Sequence, residues 1–171
     1  RGPAPPGSDV GGEQDLARLS AALYRHKVVY VLIGGLAAVY HGPPSPPEDA
    51  DIPPDAGAAI GARLAAALRE LNARIRTESI PEGLPFTCDA QALSGARTWN
   101  LVTDAGDLDI AFEPAGTRGY SDLHRGAAAA ELYDSVVEIA SLSDVIRSKQ
   151  AANRPKDQRV LPTLRDLLAN N

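Results

Sequence analysis

The chain alternates between two periods of apolar spacing. Over 14–25, Leu16, Leu19, Ala22 and Leu23 recur three and four residues apart, which predicts an amphipathic helix. The run 27–33, KVVYVLI, is apolar and β-branched almost throughout, the pattern of a strand covered on both faces. It passes directly into Gly34-Gly35 and a short helical stretch, LAAVYHG. The proline-rich GPPSPPED admits no regular structure, and DADIP after it reads as the edge of a strand.

Further along, Ile60, Leu64, Leu68 and Leu71 make one apolar stripe through an alanine-rich helix, with Asp55 placed to cap it. ARIRTE is a strand candidate, and WNLVTD and DLDIAFE, separated by Ala105-Gly106, read as a hairpin. A glycine-rich turn, a short helix near Asp122 and the strand SVVEIA follow. Ser141 is an N-cap for one helix, and Pro155 begins or interrupts another that runs to Leu168. There are no internal repeats. Strands and helices mixed without βαβ alternation predict an α+β domain, a mixed sheet backed by helices with a C-terminal helical portion. The opening 1–12, RGPAPPGSDVGG, is expected to be a flexible lead-in, and 13–171 one domain.

Composition narrows the setting. At 171 residues the chain can bury a core without covalent staples. The lone Cys88 excludes an internal disulfide framework, and no apolar run approaches the roughly 18 residues of a membrane span, so a cytoplasmic location is expected. A net charge of −5 argues against binding nucleic acid by bulk attraction. Between positions 145 and 165, however, six basic residues (Arg147, Lys149, Arg154, Lys156, Arg159, Arg165) face the single acid Asp157, which is either an anion-binding surface or a solvated helix face.

The chemistry gathers at the acids. A strand that turns through two glycines into a helix lets backbone N–H groups approach a phosphate, although a tight turn alone also needs such glycines. Thirteen residues separate Gly35 from Asp49-Ala50-Asp51-Ile52. On a strand Asp49 and Asp51 share a face, and two carboxylates about 4 Å apart repel by roughly 4 kcal/mol at an effective dielectric of 20. A bound cation would relieve this, with Mg²⁺ the natural choice, whereas an exposed acidic loop would screen it. In GDLDIAFE, Asp107 and Asp109 lie on one face and Leu108, Ile110 and Phe112 on the other. Asp109 could thus meet the Asp49–Asp51 pair, and three carboxylates can hold two metal ions.

The string Ile33-Gly34-Gly35, thirteen residues, then Asp49-Ala50-Asp51-Ile52 resembles the signature of the DNA polymerase β-like nucleotidyltransferases. Within that superfamily the chain is similar to small bacterial toxins of the AbiEii and MenT type over about 16–168, including LIGGLAAVYHG, GDLDIAFEPAGTRGY and SLSDVIRSKQAANRPKD. The resemblance implies the polymerase β-like fold and transfer of a nucleoside monophosphate from an NTP to a hydroxyl. It points to two Mg²⁺ ions, or Mn²⁺, on Asp49, Asp51 and Asp109. Catalysis would also use Lys149, and Gly34, Gly35, Ser45, Lys149, Lys156 and Asp157 would contact the nucleotide. The implied acceptor is RNA, specifically the 3′ end of tRNA, and the implied partner is an antitoxin protein. Ser45 and Pro47 stand where relatives tend to have Arg and Thr, and Val160 replaces an acid. Nucleotidylation of a small molecule or protein, or nucleotide binding without turnover, are the alternatives. His26, His41 and His124 lack metal-ligand spacing, although His41 could face a nucleotide. Arg118 and Tyr120 could touch a substrate or simply form a turn, and Trp99 is expected in the core.

Overall fold

The computed structural model describes residues 15–42 and 50–170. The first helix, α1 (Leu16–Arg25), is capped by Asp15, whose carboxylate accepts from the Arg18 N–H at 3.1 Å, and it buries Leu19, Ala22 and Leu23. Lys27 then takes a positive φ of 56°, so the apolar run turns before it extends. The strand expected over 27–33 is consequently shorter: β1 (Val31–Leu32) is flanked by single bridges at Tyr30 and Ile33. The glycine turn leads into α2 (Gly35–His41), and β2 (Ala50–Ile52) follows. Pro53 and Pro54 lack the N–H groups that would extend that strand.

Helix α3 (Ala58–Glu70) buries Ile60, Leu64 and Leu68 as its stripe requires, with Leu71 buried just beyond its end. Asp55 does not cap it. Gly57 is the N-cap, and Asp55 instead accepts from the Gly57 N–H at 3.4 Å. Next come β3 (Arg74–Ile75), α4 (Ala90–Leu93), the hairpin of β4 (Thr98–Thr103) and β5 (Gly106–Ala111), and α5 (Tyr120–His124). A second hairpin joins β6 (Ala128–Leu132) to β7 (Ser135–Ile139). β6 escapes sequence reading because its alanines carry neither β-branching nor alternation. The chain ends in α6 (Leu142–Ala152) and α7 (Pro155–Ala169). Ser141 caps α6 as expected, its hydroxyl accepting from the Asp144 N–H at 3.1 Å.

In place of one ladder there are two, ordered β1-β7-β6 and β2-β5-β4-β3. Isolated bridges stitch them through β1 and β2: Ile33 N–H donates to the Asp51 carbonyl at 3.1 Å and Asp55 N–H to the Val29 carbonyl at 2.8 Å. The β1–β7 and β2–β5 pairs are parallel, and the hairpin pairs and β3–β4 are antiparallel, so both sheets are mixed. One face of β5 supplies Leu108 and Ile110 to the core, which leaves Asp107 and Asp109 on the other. Trp99 lies at the core's margin, stacked on Phe86 with its indole N–H donated to the Leu93 carbonyl at 3.0 Å. No helix among the described residues is long and apolar enough to cross a membrane.

Candidate active site

The acid on β2 and the acid on β5 are partners in one ladder. Asp51 is in register with Asp109, and parallel neighbours in a sheet lie about 4.8 Å apart. Ala50 and Ile52 are buried with Leu108 and Ile110, so the two carboxylates emerge together on the opposite face. Gly34 closes against the first of them. Its φ is +81°, and a Cβ built on it would lie 2.1 Å from Asp51 Oδ2. Both observations demand glycine, and both come from the turn between β1 and α2. Gly35, the first residue of α2, is buried.

A third group on this face was not singled out from the sequence. Arg76 continues the β3–β4 pairing by one residue, its N–H donating to the Asn100 carbonyl at 2.9 Å. Its guanidinium lies 2.5 Å from Asp109 Oδ1 and 3.2 Å from Asp107 Oδ2, and it donates to the Leu101 carbonyl at 3.4 Å. The signal was present in ARIRTE, where alternation places Arg74 and Arg76 on one face. What was missing was the strand order, which brings that face alongside β5.

On the other side of Asp51 is a cavity of about 260 Å³, whose lining includes Gly34, Asp51, Ala111, Pro114, Lys149 and Arg154. Lys149, on α6, is buried and lies 3.3 Å from Asp157 Oδ1. Asp157, fully buried at the start of α7, also receives the Arg154 Nε at 2.7 Å, Nη2 at 3.2 Å and backbone N–H at 3.1 Å. Burial pushes the Asp157 carboxyl up, but the Arg154 hydrogen bonds and the Arg154 and Lys149 charges outweigh it and hold the group below the usual carboxylate range. Asp157 is therefore the anion that fixes two cations lining the cavity that Asp51 also lines.

The remaining site candidates separate clearly. Asp49 and Ser45, with Pro47, lie outside the described residues. Lys156 is exposed and is not among the residues lining the cavity, whereas Arg154 is. Val160 packs against the core from a half-buried position. His41 donates its Nε2–H to the Ala140 carbonyl at 2.8 Å. The Arg118 backbone N–H donates to Asp122 at 2.9 Å, and the Tyr120 hydroxyl donates to Glu138 at 3.0 Å. Of the six cations near the C-terminus, Arg147 is bound to Asp122 and Asp144, and Lys149 and Arg154 are bound to Asp157. Lys156, Arg159 and Arg165 are exposed.

Among the described residues no group of three His, Cys, Asp or Glu side chains is arranged to hold a metal ion. Asp51 and Asp109 nevertheless provide carboxylate oxygens on one face, the donor type that Mg²⁺ and Mn²⁺ select, beside a cradle that a Cβ on Gly34 would fill. These residues fit a hard divalent cation. A larger cleft of about 810 Å³ lies between α3, α4 and the exit of β5, lined by Gly57, Gly61, Leu93, Arg97 and Phe112 among others. It contains neither Asp51 nor Lys149, both of which line the smaller cavity, so chemistry selects the smaller over the larger.

No protein-family model matches the sequence, and no curated protein matches it. Among solved structures, the chain is similar to a putative nucleotidyltransferase from Thermotoga maritima, with 19% identity, 91% of each chain covered and a TM-score of 0.52. At that identity the likeness extends to the fold: the chain has a nucleotidyltransferase-like arrangement of mixed sheets and helices.

Proposed function

We propose that this chain is a metal-dependent nucleotidyltransferase that moves a nucleoside monophosphate from an NTP to an acceptor hydroxyl and releases pyrophosphate. The observation that carries the reading is the pairing of Asp51 with Asp109 beside Gly34, with Asp51 lining the same cavity as Lys149 and Arg154. A carboxylate and two cations lining one cavity suit a substrate made of a divalent ion and a triphosphate. Asp51 and Asp109, with Asp49 from the adjoining segment, would hold Mg²⁺ or Mn²⁺. Such an ion, when bound, neutralises phosphate charge and lowers the pKa of an attacking hydroxyl.

The chain's own residues divide the rest of the work. Lys149 and Arg154 attract and orient the phosphate oxygens, and Asp157 keeps their charged ends in place. Gly34 leaves room for the nucleotide's phosphates to approach the backbone, which no larger residue could do against Asp51. A cavity of about 260 Å³ is just under the ~300 Å³ at which small-molecule pockets begin, so these walls embrace the phosphate chain more closely than the base.

For the acceptor we propose an RNA end, specifically the 3′ end of tRNA, and for the biological setting a cytoplasmic toxin restrained by an antitoxin. The resemblance to AbiEii and MenT toxins over LIGGLAAVYHG, GDLDIAFEPAGTRGY and SLSDVIRSKQAANRPKD motivates both, and exposed Lys156, Arg159 and Arg165 suit a polyanion. Incubation with α-labelled NTPs, Mg²⁺ and total tRNA tests the reading. Label is expected at tRNA 3′ ends with the native chain and none with Asp51→Asn. Equal labelling by that variant would overturn the catalytic assignment, and label on protein or an aminoglycoside alone would overturn the acceptor.

A further inference from the structure

The small cavity is walled in part by two segments far apart in the chain. Val145, Ser148, Lys149 and Ala152, spaced three and four residues apart, give it one face of α6, while Pro114 and Ala115 come from the turn that follows β5. That turn, 114–117, is closed by the Thr117 N–H and hydroxyl, which donate to the Pro114 carbonyl at 3.0 and 2.9 Å. Gly116 seats it on the helix. Its φ is +73°, and an added Cβ would come within 2.7 Å of Ala151 Cβ and 3.1 Å of the Arg147 carbonyl.

One side chain fastens this junction without lining the cavity. The Arg147 guanidinium donates Nη1 to the Gly116 carbonyl at 2.8 Å and to Asp122 Oδ2 at 2.9 Å, and Nη2 to Asp122 Oδ1 at 3.2 Å and Asp144 Oδ1 at 2.9 Å. It thereby ties the turn, α5 and α6 together, which takes the several donors of a planar guanidinium. We propose, resting on the reading above, that Arg147 is a positioning residue that sets the spacing between the β5 exit and α6, and with it the fit of the cavity around a magnesium-bound triphosphate. Lys149 is two residues further along the same helix, and Asp51 is on the strand beside β5, so a change at this junction alters how the two converge on phosphate. Two acids offset the charge of Arg147, so it acts on the cavity through geometry.

Titration calorimetry with Mg²⁺ and inorganic tripolyphosphate tests this without turnover and without a choice of base. Arg147→Gln is expected to raise the Kd at least about fivefold relative to the native chain. Gly116→Ala, which parts the turn from α6 but leaves the guanidinium in place, is expected to do the same. A merely structural role would lower the number of binding sites through loss of folded protein and leave the Kd of the remainder unchanged. A native Kd in folded Arg147→Gln would overturn the proposal, and so would a native Kd in Gly116→Ala, since weakening by Arg147→Gln alone would be an effect of charge. Should Arg147→Gln fail to fold, Gly116→Ala still decides. A native chain that does not bind the probe would overturn the nucleotidyltransferase reading itself, a result distinct from native-like variants.

Discussion

Gly34 sits so close to Asp51 that a single added carbon would lie 2.1 Å from the carboxylate oxygen. The turn also holds Gly34 at φ +81°, where L side chains are strained. Gly34→Ala is therefore expected to lower stability by about 2 kcal/mol and to displace Asp51. Urea unfolding measures the first effect and nucleotide binding the second. An alanine variant with native stability and binding would show that the turn is not the tight junction described here.

Asp51 and Asp109 are in register but have different neighbours, and their amide variants should differ accordingly. Asp51→Asn keeps the size and shape of a half-buried side chain, so the metal-free protein is expected to unfold within about 1 kcal/mol of the native chain. Asp109→Asn also takes a charged acceptor from Arg76 and is expected to cost about 1 kcal/mol. Both should reduce nucleotidyl transfer by at least about 100-fold. Denaturant melts and initial rates on one set of preparations check the contrast.

Asp157 anchors Lys149 and Arg154 from a fully buried position. Asp157→Asn leaves the buried Lys149 ammonium without its anion and is expected to cost about 3 kcal/mol. Because the two cations also lose their fixed orientation, KM for the NTP should rise in the variant fraction that remains folded. Calorimetric melting and a substrate titration provide the two readings.

Acid should weaken the same region. Asp157 is held below the ordinary carboxylate range by Arg154 despite its burial, and Asp122 is held below it chiefly by its hydrogen bonds to Arg147 and the Arg118 N–H. A carboxyl whose folded pKa is depressed contributes fully above its unfolded value, about 3.9 for Asp, and loses that contribution as pH falls through the lowered folded value. Stability should accordingly be flat with respect to these groups near neutrality and fall below about pH 4. Asp122→Asn should shallow that acid limb, which melts between pH 2 and pH 6 would reveal.

Much of the site could be read in the sequence because its parts are local. Gly34-Gly35 needs only a strand-to-helix turn, and the alternation in GDLDIAFE assigns Asp109 to the face opposite the core without any knowledge of the sheet. The Asp51–Asp109 meeting required one further supposition, that two strands far apart in sequence are neighbours, and they are. Arg76 was hidden for the converse reason: its role arises from reaching across β4, a relation with no sequence period. Arg154 escaped notice because its contact with Asp157 arises from the capping geometry at the start of α7, where its side chain folds back onto the N3 carboxylate. The β6 strand was missed because alanines suit a helix as readily as a strand.

A crystal structure with Mn²⁺ and a non-hydrolysable NTP tests the central claim most directly. The account predicts anomalous density on Asp51 and a triphosphate lying against Lys149 and Arg154. Manganese remote from Asp51, or a nucleotide seated in the cleft between α3 and α4, would contradict it.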